Sequence, residues 1–71
     1  MEVVFSLHAK RQMKWRDISE GEVKLTLSDF DKLEDFTRGQ KNAYKQFPDR
    51  VIKVTFMEEA GKVIVITAMV R

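Results

Sequence analysis

Residues 8–23, HAKRQMKWRDISEGEV, decide the fold, because they carry a helix, its stop and the cap of a second helix. At about 100° per residue, Ala9, Met13 and Arg16 fall on one side and form the packing stripe. Lys10 and Lys14 point elsewhere, while His8, Arg11 and Trp15 share a third face. Arg16 then lies on the buried side at the helix end, where its stem packs and its charge favours the helix C-terminus. Ser19 followed by Glu22 is a capping box: the hydroxyl accepts from the Glu22 amide and the carboxylate accepts from the Ser19 amide. It predicts a second helix from Glu20 with Val23, Thr26, Leu27 and Phe30 as its stripe. Val23, Leu25 and Leu27 also alternate as a strand would, and the capping box favours the helix.

Upstream, Glu2 to Ser6 reads as a first strand around Val3, Val4 and Phe5, ending where Leu7 and His8 open the helix. Downstream, Asp29 to Asn42 is ambiguous. Phe30, Leu33 and Phe36 fit a helix at spacing three, whereas Lys32 to Thr37 fits an edge strand, the reading adopted here, with Gly39 in the turn that follows. Asn42 to Phe47 and Arg50 to Met57 are strands joined by the Pro48-Asp49 turn, and Glu59, Ala60 and Gly61 turn the chain into a last strand from Lys62. The expected architecture is α+β: an N-terminal strand, two helices and an antiparallel meander. By parity, Ile52, Val54, Phe56, Ile64, Ile66, Ala68 and Val70 lie under the helices. Val51, Met57, Val63, Val65 and Met69 then share the other face with Lys53, Thr55, Thr67 and Arg71. So apolar an outer face implies a cover, and Val65→Lys is expected to weaken association with whatever supplies it.

A chain of 71 residues is read as one domain, residues 1–71; a domain of that size buries about 60% of its unfolded surface, so its core is thin. No apolar run approaches the roughly 20 residues of a membrane span, and the start lacks a secretory pattern, so a cytoplasmic protein without membrane association is expected. With no cysteine and one histidine, neither disulfides nor metal-ligand spacing is present, and no metal or cofactor is expected. Gly21, Gly39 and Gly61 are isolated, which leaves no phosphate-cradling loop. The formal charge is +2 with pI near 9.1, and its distribution matters more than its sum. Lys10, Arg11, Lys14 and Arg16 form an acid-free run; Arg38, Lys41, Lys45, Arg50 and Lys53 form a second basic segment beyond the acids Asp29, Asp31, Glu34 and Asp35. Each run taken alone is ordinarily a solvated face.

The pattern of His8-Ala9, Met13, Arg16, Ile18 and Val23, then Lys45, Arg50 and the closing VIVITA run from Val63 to Ala68, resembles a family of small bacterial and phage domains of unknown function. That family is similar in shape to the RelE/ParE superfamily of toxins, including its BrnT-like branch. The resemblance implies a site on the sheet face away from the helices or along its edge. RelE-like members cleave mRNA without metal, by attack of the 2′-hydroxyl on the adjacent phosphate; this needs a base, an acid for the leaving oxygen and cations for the extra phosphoryl charge. ParE-like members inhibit gyrase. This chain departs from the better-known toxins in being short and only mildly basic.

Residue by residue, the resemblance directs attention to His8, Arg16, Lys45 and Arg50. His8 has the intrinsic pKa of a base, but it opens a helix, which disfavours its charged form and equally suits a structural histidine. Tyr44 is read either as a base-stacking or proton-donating group or as strand packing. The candidate catalytic residues are therefore His8, Tyr44 and Arg50, and the candidate RNA contacts are Arg16, Lys45, Lys53 and Arg71. Arg50→Ala is expected to abolish activity with the fold intact. Two function classes stay open: a toxin-like, metal-independent ribonuclease held by an antitoxin, and a non-catalytic interaction domain whose sheet face binds a partner or a second copy.

Overall fold

Ser6 ends one element and begins the next. In the computed structural model, which describes residues 2–71, its hydroxyl accepts from the Ala9 amide at 3.0 Å and donates to the Ile66 carbonyl at 3.0 Å. One side chain thus caps the first helix and ties it to the last strand. The order is β1 (Glu2–Phe5), α1 (Leu7–Arg16), α2 (Glu20–Ser28), β2 (Lys32–Asp35), β3 (Lys41–Gln46), β4 (Val51–Glu59) and β5 (Lys62–Val70), with a short turn over Thr37–Gly39. This is the α+β arrangement expected: a strand, two helices and then a sheet. Among the described residues no helix is long and apolar enough to cross a membrane.

The helix signals are local and hold. α1 stops at Asp17, whose left-handed backbone (φ 56°) lets the Ile18 amide reach back to the Met13 carbonyl at 2.8 Å. Ile18 is thereby turned into the core. Both bonds of the Ser19–Glu22 capping box are 3.0 Å. Of the α2 stripe, Val23 and Thr26 are buried and Leu27 packs on the core's margin, while Phe30 lies past the helix end and is exposed. The uncertain segment forms the expected edge strand, shorter by two residues than Lys32–Thr37 because Phe36 and Thr37 turn away.

The strand order is β1-β5-β4-β3-β2. Neighbours are antiparallel except β1, which runs parallel to β5 from Glu2↔Lys62 to Phe5↔Val65. Both helices lie on one face, where Ala9, Met13, Ile18 and Val23 meet Ala43, Ile52, Val54, Phe56, Val63, Val65 and Ala68. The β4–β5 turn is Ala60-Gly61, with φ of 52° and 75°, the geometry that matches strand twist in a two-residue hairpin. Ala60 adopts it without the freedom of glycine.

The parity expectation fails in half of β5. Thr55 faces Thr67 but Phe56 faces Val65, so Ile66 has no partner on β4: a β-bulge. Beyond it the faces exchange, since a one-residue slip inverts every side chain. Val63 and Val65 therefore join the helix side, Val65 with no exposed surface, while Ile64 pairs with Met57 on the open side. Val65 is core, and Val65→Lys tests folding rather than association.

Candidate functional site

On the face away from the helices, the register aligns Lys32 of β2, Tyr44 of β3, Lys53 of β4 and Met69 of β5 in one cross-strand row. Directly paired residues have Cβ atoms about 5 Å apart, so long side chains in such a row meet over the sheet. Arg71, whose amide donates to the Val51 carbonyl at 2.8 Å, follows β5 onto the same patch. Three cations surround the tyrosine ring: Arg71 at 5.1 Å, Lys32 at 5.6 Å and Lys53 at 5.9 Å from its centroid. Their stems explain why Tyr44 is only 8% exposed on a face that no helix covers.

The neighbouring row supplies the polar half of the site. The Tyr44 hydroxyl donates to the Glu34 carboxylate, which also accepts from the Asn42 amide at 3.3 Å. Asn42 in turn accepts from the Thr55 hydroxyl at 2.7 Å. Asn42 and Thr55 are buried, so the chain Thr55–Asn42–Glu34 fixes the carboxylate from below. The donors hold Glu34 below the usual carboxylate range, the Tyr44 hydroxyl foremost. The same bond, with burial and the carboxylate's charge, raises Tyr44 above the usual phenol value, against the opposing charge of Arg71. At neutral pH the pair is a carboxylate accepting a hydrogen bond from a neutral phenol, beneath three cations. A cleft of about 220 Å³ opens here, lined by Tyr44, Lys53, Met69, Val70 and Arg71.

Of the candidates named from sequence, Tyr44, Lys53 and Arg71 are brought together. The other four are not. His8 is exposed in the first turn of α1, in the helix layer. Lys45, paired with Ile52, points to the helix side and donates to the Asp29 carbonyl and carboxylate at 3.0 and 3.1 Å. The Arg16 guanidinium stacks on Trp15 at 4.8 Å. Arg50 is engaged in the fold: it donates to the Arg16 and Asp17 carbonyls at 3.0 and 2.8 Å and to both Glu22 carboxylate oxygens at 3.0 and 3.1 Å. It joins the end of α1 to the cap of α2, so Arg50→Ala acts on stability and does not isolate a role in chemistry.

Glu34, Asn42, Thr55 and Lys32 were missed from sequence. The signal was present in strand alternation, which puts Lys32 and Glu34 on one face and Asn42 and Tyr44 on one face. Only the β2–β3 register makes those two faces the same. No protein family, curated protein or solved structure matches this chain.

Proposed function

We propose that the protein is a toxin-like, metal-independent ribonuclease that holds an RNA phosphodiester on the open sheet face. The observation that carries this reading is the convergence of Lys32, Lys53 and Arg71 on Tyr44, whose hydroxyl is bonded to Glu34. The resemblance to RelE/ParE-like toxins supports it, as does the implied location away from the helices. Lys53 and Arg71 neutralise the phosphate and the charge that develops on it. Glu34 takes the proton of the 2′-hydroxyl as that oxygen attacks phosphorus, and Tyr44 gives its proton to the departing 5′-oxygen. The products are a 2′,3′-cyclic phosphate and a 5′-hydroxyl; the proton on Glu34 then returns to Tyr44 along their hydrogen bond.

Induced expression with and without a candidate antitoxin, together with cleavage of RNA in excess chelator, tests this. Growth arrest and cyclic-phosphate ends are expected, both lost in Tyr44→Phe and in the Lys53→Ala, Arg71→Ala double variant at unchanged melting temperature. A folded Tyr44→Phe protein that still cleaves would remove Tyr44 from the chemistry. The second reading, a non-catalytic interaction domain using the same face, draws on Met57, Ile64 and Val4, which adjoin one another there. An inert protein that forms a stable complex through Ile64 would favour it.

A further inference from the structure

The outer face of α1 is unlike the rest of the surface. With Ala9 and Met13 turned into the core, the helical period places Arg11 and Trp15 on the outer face and Lys10 and Lys14 on the flank beside it, and all four are exposed. No acid interrupts residues 8–16. Among the described residues none of these three cations has an ion-pair partner, whereas Lys32, Lys45 and Arg50 all do. Trp15 is 80% exposed. The Arg16 guanidinium lies 4.8 Å from the ring centroid, so one ring face is backed by a cation while most of the ring meets solvent.

We infer that this face is a docking surface for single-stranded RNA, with Lys10, Arg11 and Lys14 on successive phosphates and an unpaired base stacked on Trp15. Charge complementarity selects a polyanion, and the exposed Trp15 ring selects one with unpaired bases. Lys10 and Lys14 are separated by about 6 Å of helix rise, which suits a strand that runs along the helix. Base–aromatic stacking is indifferent to base identity, so the surface reads single-strandedness rather than sequence. An anionic membrane fits worse. An interfacial helix buries an apolar stripe in the bilayer, and the stripe of α1 is already spent on the sheet. The inference does not depend on the sheet face: it concerns the opposite layer and needs no catalysis.

Trp15 is the chain's one tryptophan, so its emission reports the contact directly. Titration with a short single-stranded RNA is expected to quench it. Three phosphate contacts give a salt slope of log K near about −2, from about 0.7 per contact on a single strand. The Lys10→Glu, Lys14→Glu double variant is expected to lose binding by about tenfold or more and flatten that slope. Trp15→Phe, followed by filter binding, is expected to retain most of the affinity, and Trp15→Ala to lose about fivefold or more. The Lys53→Ala, Arg71→Ala double variant is expected to quench as the wild type does, which separates this surface from the sheet-face site. Absence of quenching at low salt would overturn the inference. So would equal quenching by duplex RNA, by anionic vesicles or by an acidic peptide, or a slope unchanged by the charge reversal in protein that melts normally.

Discussion

Replacing Arg50 with Ala should cost about 3 kcal/mol of stability. The Arg50 side chain is 18% exposed and that of its partner Glu22 28%, with the closest approach 3.0 Å. Two backbone carbonyls at the end of α1 lose their donor, at about 1 kcal/mol each once exchange with water is counted. The half-screened ion pair adds about 1 kcal/mol more, between the worth of a surface pair and that of a buried one. A domain of this length has about 4–10 kcal/mol in total, so the loss is a large share of it. Differential scanning calorimetry should show a fall of about 12–24 °C, from about 4–8 °C per kcal/mol in small domains. Arg50→Lys keeps the charge but not the fork, and should recover less than half of the loss, since a single ammonium cannot span two carbonyls and a carboxylate. An Arg50→Ala protein melting within about 3 °C of wild type would refute the assignment of Arg50 as the clamp between the helices. Arg50 would then be free to act elsewhere.

Val65→Lys should prevent folding, because a charge would replace a fully buried side chain, whereas Ile64→Lys should fold; circular dichroism distinguishes the two, and the reverse pattern would place the bulge elsewhere. Ser19→Ala should lower stability by about 1 kcal/mol in urea denaturation with an unchanged slope, and an unchanged midpoint would reject the capping box. Glu22 is held below its usual pKa by the Ser19 amide first and by Arg50 as well. Its contribution is therefore complete above the unfolded value of about 4.3 and is lost as pH falls through the lower folded value. Melting temperature followed from neutral to acid pH should drop there, and less in Glu22→Gln. The one tyrosine should titrate above 10.0 by ultraviolet absorbance, and Glu34→Gln should bring its midpoint down; an ordinary midpoint in wild type would deny the Tyr44–Glu34 bond.

The helices were legible in sequence because their signals are short-range: the Ser19–Glu22 box and the Ala9–Met13 spacing involve residues within one turn or so. The faces of the sheet were legible through β4 and the end of β5, and not from Val63 to Ile66. VIVITA, residues 63–68, is apolar on both parities until Thr67, so nothing in its pattern marks where one residue drops out of register. The exchange of Val65 for Ile64 is written in the β4 pairing instead. Residue type alone singled out Tyr44, Lys53 and Arg71 as candidates, but only the β3–β4 and β4–β5 registers bring the three together. It could not tell them from Arg50, whose fate depends on the end of α1 lying beside it in space. Glu34 was hidden for a similar reason: within Asp29–Asp35 it looks like any solvated acid, and only β3 gives it donors.

The parallel pairing of β1 with β5 has a consequence for the order in which the protein can form. Phe5 and Val65 are partners, and Ser6 bonds to a carbonyl 60 residues away. Closing that loop costs about 3 kcal/mol more chain entropy than closing the two-residue hairpin between β4 and β5, by the logarithmic dependence on loop length. Local hairpins therefore assemble first, and β1 docks against a ladder that already exists. On a ribosome the constraint is stricter. Val3 and Phe5 are made before Val63 and Val65, the residues that receive them, so those side chains stay wet until β5 follows. A nascent chain of this protein thus carries β1 unpaired until residue 65 has cleared the exit tunnel, a window in which a chaperone or a neighbouring nascent chain competes with β5 for β1.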